Sequence, residues 1–142
     1  MEAELAVDVT KEAFEDVGLR QKVRLTSANS VNVGRLLPQM VYYFHAFAEL
    51  ARRSTSRLPG EVVVCTPSGN FGNLTAGLMA RRAGLPIARF IAATNINDVV
   101  PSYLTTGRFE PRASVQTIAN AMDVGNPSNF ERMLWLYGGD VD

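Results

Sequence analysis

Between Leu37 and Ala51 the apolar positions Leu37, Met40, Val41, Phe44, Phe47, Ala48 and Ala51 recur at a period of about 3.6 residues, which predicts an amphipathic helix running to about Arg53. Pro38 fits its first turn, where no N–H donor is needed, and Arg52 and Arg53 sit at the negative end of the helix dipole. Further on the pattern changes. The apolar run Val62–Cys65 cannot alternate faces and reads as a fully buried strand. Leu74–Ala83 is helix-like, and Gly84 followed by Pro86 ends it. Ile87–Ala93 reads as a second buried strand. The span Glu61–Ala93 therefore predicts strand, glycine-rich turn, helix, strand: one parallel βαβ unit, right-handed by the general rule.

The flanking segments carry weaker patterns. Leu5–Val9 alternates like a short strand, and Thr10 is placed to cap a helix over Lys11–Val17 that Gly18 would stop. Ser27–Arg35 is polar and holds Asn29 and Asn32, while Ser54–Gly60 reads as a connector. Thr94–Asp142 is turn-rich, with helix-like pieces near Ser114–Met122 and Asn129–Tyr137. The connector separates a helical portion, residues 1–60, from residues 61–142, which carry the βαβ unit; the two together read as one unit. The expected class is α/β with a Rossmann-like parallel core.

Composition narrows the function. The chain has 142 residues, enough for one domain with a real core, and its 46% apolar and 20% charged content is ordinary for a globular protein. Basic and acidic residues balance at 14 each, so charge gives no reason to expect nucleic acid or an anionic membrane. Tyr42, Tyr43, Phe44 and Phe47 have helical spacing, which favours core packing over a platform for bases. The single Cys65 excludes an internal disulfide and, in its apolar run, reads as an inert buried thiol in a reducing compartment. His45 is the only histidine, so a His-rich metal cluster is excluded. No signal peptide is seen, and no apolar stretch approaches the roughly 20 residues of a membrane span. A cytoplasmic protein is expected.

The segment PSGNFGN, Pro67–Asn73, carries the candidate chemistry. In open parallel sheets ligands bind beyond the carboxyl ends of the strands. A loop there that opens a helix offers unpaired N–H groups and the positive end of the dipole, about half a charge, which suits a phosphate. Gly69 and Gly72 would permit positive φ and close backbone approach, while Ser68, Asn70 and Asn73 can bond the anion or cap the helix. Any tight strand-to-helix turn uses the same residue types, so the spacing leaves both readings open. The dinucleotide fingerprint is absent, and the only lysines, Lys11 and Lys22, lie outside the loop, which excludes a P-loop. Pyridoxal phosphate remains as a common cofactor held in this way.

Three segments, SANSVNVGRLLPQMVYYFHA, PSGNFGNLTAGLMARRAGLPIARFIAATNIND and NAMDVGNPSNFER, resemble threonine synthase of the bacterial and fungal branch, a family of fold type II pyridoxal-phosphate enzymes. The resemblance runs from about Lys11 to Trp135. It implies pyridoxal phosphate as cofactor and conversion of O-phospho-L-homoserine and water to L-threonine and phosphate. It assigns the cofactor phosphate to Ser68, Gly69, Asn70, Phe71, Gly72 and Asn73, and the substrate's phosphate to Asn29, Ser30 and Arg35. Arg35 has a planar fork of donors suited to that task. Asn95, Asn97 and Asp98 follow the second strand and are candidates for the same cleft, although a capped turn explains them equally well.

The family's Schiff-base lysine belongs to a segment preceding those matched, so no catalytic residue is carried over. The chain looks like an internal portion of a longer enzyme and is expected to make no threonine alone. Two other readings stand beside this one. One is another fold type II lyase, such as a dehydratase or cysteine synthase, against which the Asn29–Arg35 phosphate pattern weighs. The other is a non-catalytic binding module.

Overall fold

The computed structural model describes residues 9, 12–26, 32–54 and 61–139. Its elements in chain order are α1 (Val17–Lys22), a 3-10 turn at Val33–Arg35, α2 (Leu36–Arg53), β1 (Val62–Pro67), α3 (Gly72–Arg82), β2 (Ile87–Ala93), α4 (Val99–Thr106), a 3-10 turn at Asn120–Met122 and α5 (Phe130–Leu136). β1 and β2 pair in parallel with α3 between them in sequence, which is the predicted βαβ unit. Thr66 lies beside Ala92 and Pro67 beside Ala93, so the chain leaves both strands at one end of the sheet.

The core explains this arrangement. One cluster joins Leu36 and Tyr43 of α2 to Ala76 and Ala80 of α3 and Ile87 of β2, with Met40, Phe47, Val64 and Phe90 packed around it. A Cβ at Gly77 would stand 2.7 Å from the rings of both Tyr43 and Phe90, so glycine is what lets α3 approach the two aromatics. Those rings meet edge to face with centroids 6.0 Å apart. A second cluster gathers Phe71, Leu74, Leu78, Val100 and Phe130, closing the far side of α3 with α4 and α5.

Several expectations are corrected. The two strands are not buried on both faces: Val63 and Ile91 are 48% and 49% exposed, and Cys65 is exposed too. Side chains alternate across the sheet, and among the described residues the helices cover only the face bearing Val64 and Phe90. The buried stripe of α2 runs through Leu36, Met40, Tyr43 and Phe47, whereas Leu37, Val41 and Phe44 face outward. Gly18 does not stop a helix but lies within α1. Asp16 restarts the helix there by accepting the Leu19 N–H at 2.9 Å, a cap that offsets the roughly 1 kcal/mol cost of an interior glycine.

Val9 is helical rather than extended, and the rest of the predicted strand at Leu5–Val9 lies outside the described residues. Ser114–Met122 is not a helix; it holds only the turn at Asn120–Met122, because Val115 and Thr117 bond across to Asn97 and Asn95, just after β2. The segment after β2 also contains α4, which the turn-rich reading omitted. No helix among the described residues is long and apolar enough to cross a membrane.

Candidate functional site

The glycine loop joins β1 to α3, and each of its residues has a separate task. The Ser68 N–H donates to the Ala93 carbonyl at 2.9 Å, tying the loop's start to β2. Its hydroxyl is buried and donates to the Thr66 carbonyl at 3.0 Å, so Ser68 spends itself on the fold. Gly69 lies against backbone: a Cβ there would stand 2.7 Å from the Met122 Cα. The left-handed conformation expected of a glycine falls instead on Phe71, at φ 59°. For a non-glycine residue that costs about 1–2 kcal/mol. The Phe71 ring, 4% exposed within the second cluster, holds the residue there.

Asn73 accepts the Tyr43 hydroxyl on both its side-chain oxygen, at 2.6 Å, and its carbonyl, at 3.0 Å. Burial pushes the Tyr43 phenol above its usual pKa, against a smaller lowering by Thr66. The first bond of α3 is Thr75 N–H to the Phe71 carbonyl at 2.9 Å. The preceding amides of Gly72, Asn73 and Leu74 have no acceptor among the described residues.

Of these residues, Gly72 and Asn73 line a cleft of about 460 Å³. Backbone from Gly69 to Asn73 forms one side, and Arg35, Pro38 and Gln39 at the start of α2 form another. The turn carrying Arg35 is set by Asn32, whose side-chain oxygen accepts the Gly34 N–H at 2.9 Å. Gln39 lies one helical turn beyond Arg35, and its side-chain oxygen is buried with no hydrogen-bond partner. Asn29 and Ser30 lie outside the described residues. A neighbouring groove of about 320 Å³ has an apolar lining that includes Phe47, Leu50, Val62 and Ile87, with no charged side chain.

Of the two readings of Asn95, Asn97 and Asp98, the bonded turn is the one the geometry favours, and none of the three lines this cleft. Asp123 accepts the Asn95 amide at 2.7 Å, and its carboxylate also takes the Thr117 N–H and hydroxyl, each at 2.7 Å. Asn97 bonds both backbone groups of Val115, accepting the N–H at 2.7 Å and donating to the carbonyl at 2.9 Å. Asp98 pairs with Arg112. These groups satisfy one another and fasten residues 112–125 to the end of β2.

Pattern reading also missed Met122, Ser128, Asn129 and Gln39. Nothing local in NAMDVGNPSNFER shows that two of its residues bond a loop more than fifty positions earlier, although Asn70 and Ser128 are 58 apart.

No protein-family model matches the chain. Comparison with known proteins does place it. Over 129 residues, 91% of its length, it is 53% identical to the threonine synthase of Haemophilus influenzae. The chain is homologous to threonine synthases. The Escherichia coli threonine synthase crystal structure superposes with a TM-score of 0.79 at 47% identity, covering 92% of this chain and 30% of that one. A pyridoxal-phosphate-bound threonine synthase from Brucella melitensis gives 0.78 at 39% identity, covering 94% of this chain and 28% of that one. The chain spans 29% of the Haemophilus relative, so it matches just under a third of a threonine synthase.

Proposed function

We propose that the chain is the phosphate-holding portion of a threonine synthase, which converts O-phospho-L-homoserine and water to L-threonine and phosphate. The observation that carries this reading is the shared cleft: its lining includes both Arg35 and a helix start whose leading amides have no acceptor among the described residues. A dianion placed there would lie beside Gly72 and Asn73, at the positive end of an 11-residue helix.

Pyridoxal phosphate fits this donor set. The backbone from Gly69 to Asn73 would hold its phosphate, with Phe71 and Gly69 fixing the loop rather than bonding the ligand through side chains. The Ser68 hydroxyl donates to Thr66 and the Asn70 side-chain oxygen accepts from Ser128, so both side chains also hold the loop in place. When bound, the cofactor supplies an electron sink for loss of protons from the amino-acid carbons. The chain's own residues do the holding. Arg35, with Asn29 and Ser30, takes the phosphate that the substrate must lose, so binding and leaving-group stabilisation share one group. Gln39 leaves an unsatisfied polar atom in the same wall, which a bound ligand would satisfy.

Lys22 ends α1 and is not among the residues lining the cleft, and Lys11 lies outside the described residues. We therefore assign the Schiff-base lysine to a segment of threonine synthase that this chain does not match. The chain by itself makes no threonine from O-phospho-L-homoserine, and activity requires that segment.

Titration with pyridoxal phosphate, pyridoxal and inorganic phosphate tests the cleft. Pyridoxal phosphate and phosphate should compete for one site, and pyridoxal should bind far more weakly. Arg35→Ala should weaken O-phospho-L-homoserine binding while leaving pyridoxal phosphate bound. Equal binding of pyridoxal and its phosphate would defeat the reading of the loop. Threonine formed by the chain alone would defeat the assignment of the lysine.

A further inference from the structure

The glycine loop is also held by Ser128 and Asn129. Asn70 accepts the Ser128 N–H at 2.7 Å and the Ser128 hydroxyl at 3.0 Å on its side-chain oxygen. Its carbonyl accepts the Asn129 side-chain amide at 3.0 Å. Asn129 is 0% exposed and bonds in three directions at once. Its side-chain oxygen accepts Arg132 Nη1 at 2.5 Å, and its carbonyl accepts the Met133 N–H at 3.2 Å and the Thr75 hydroxyl at 3.5 Å. One buried side chain thus connects the loop to α5, and its carbonyl reaches α3.

We propose that Asn129, acting through Asn70, is a positioning residue that fixes the loop's amides for a phosphate without touching the ligand. The proposal rests on the phosphate reading of the cleft. Donors aimed before the ligand arrives cost no reorganisation when it binds. This loop needs such restraint, because Phe71 is held in a left-handed conformation that an unrestrained chain leaves. The hold is also self-sustaining: the buried Asn129 amide would be orphaned if the loop moved away. The Asn70 side-chain oxygen is accordingly a support of the cradle.

Asn129→Asp tests this in the full chain. It keeps the size of the side chain and an acceptor for Arg132, but turns an acceptor toward the Asn70 carbonyl. Without ligand, exchange of the hydrogen-bonded amides that bracket and hold the loop, those of Ser68, Thr75 and Ser128, should quicken by roughly fivefold or more, the equivalent of about one neutral hydrogen bond. Exchange in the later turns of α3 should hold steady, and affinity for pyridoxal phosphate and for inorganic phosphate should fall by a similar factor. Ser128→Ala, at an exposed residue, removes one of the three bonds to Asn70 and should give a smaller change of the same kind; it decides alone if the first variant does not fold. Loop exchange unchanged in a folded variant overturns the proposal, as does faster exchange spread evenly over the chain. Wild-type protein that binds neither ligand removes the phosphate reading instead, while the exchange result still reports on the hold.

Discussion

Pro67–Asn73 leaves β1 and Thr94–Asp98 leaves β2, side by side at the same end of the sheet, and both turns are rich in asparagine. In the second, the side chains of Asn95 and Asn97 are bonded to residues 115–123, and the turn works as a latch. In the first, the side chains of Ser68 and Asn70 are also engaged internally, yet the amides of Gly72, Asn73 and Leu74 are not. Polar residues at a strand end therefore do not mark a binding site. What separates the two turns is which backbone groups remain unpaired once the bonds among the described residues are counted.

The comparison can be broken most forcefully from the latch side. A Cβ on Gly125 would overlap the Arg112 carbonyl oxygen, whose own residue donates its N–H to the Gly125 carbonyl at 3.0 Å. Gly125→Ala should cost about 3 kcal/mol or more of stability, read as a fall in urea midpoint. Asn97→Ala comes next. It removes both bonds to Val115 from a buried site and should cost about 2–3 kcal/mol. Phosphate affinity should be unchanged in a folded Asn97→Ala protein, because Asn97 does not line the cleft. A matching loss of affinity would mean that the two turns are not separable.

A pH titration sharpens the contrast further. Desolvation tends to raise the Asp123 pKa, but bonds from the Thr117 N–H, the Thr117 hydroxyl and the Asn95 amide outweigh it and hold the carboxyl below its ordinary value. A carboxyl whose pKa is lower folded than unfolded stabilises the fold above the unfolded value, and that contribution is lost as pH falls through the folded one. The latch should thus hold at neutral pH and loosen only in acid below the usual carboxylate range, seen as a drop in melting temperature. Asp123→Asn should flatten the curve in that window. The smallest effect belongs to the glycine loop. Asn73→Ala removes one of two acceptors for the Tyr43 hydroxyl and should cost about 0.5–1 kcal/mol by thermal melting.

Much of this architecture was legible before any coordinates. The period of α2, the order β1–α3–β2 and the stop at Gly84, which has φ 104°, follow from neighbours within a few positions. The same reasoning failed on burial. Four apolar residues in a row suggested a strand covered on both faces, and Val63 and Cys65 stand exposed. Apolar content states what a strand could bury, and only the packing around it states what it does bury. The stripe of α2 turned in the same way, with Leu36 and Tyr43 inward where Leu37 and Phe44 were expected.

The sequence by itself determined α2, the order β1–α3–β2, the glycine-bearing turn within it and the threonine synthase likeness, because periodicity and motif spacing are properties of adjacent residues. Tertiary structure decided which side of the sheet is covered, that Phe71 rather than a glycine adopts the left-handed backbone, and that Asn95 and Asn97 close a latch while the start of α3 stays open. Those outcomes depend on partners such as Ser128 and Asp123, far along the chain, whose hydrogen bonds exist only after folding has brought them near.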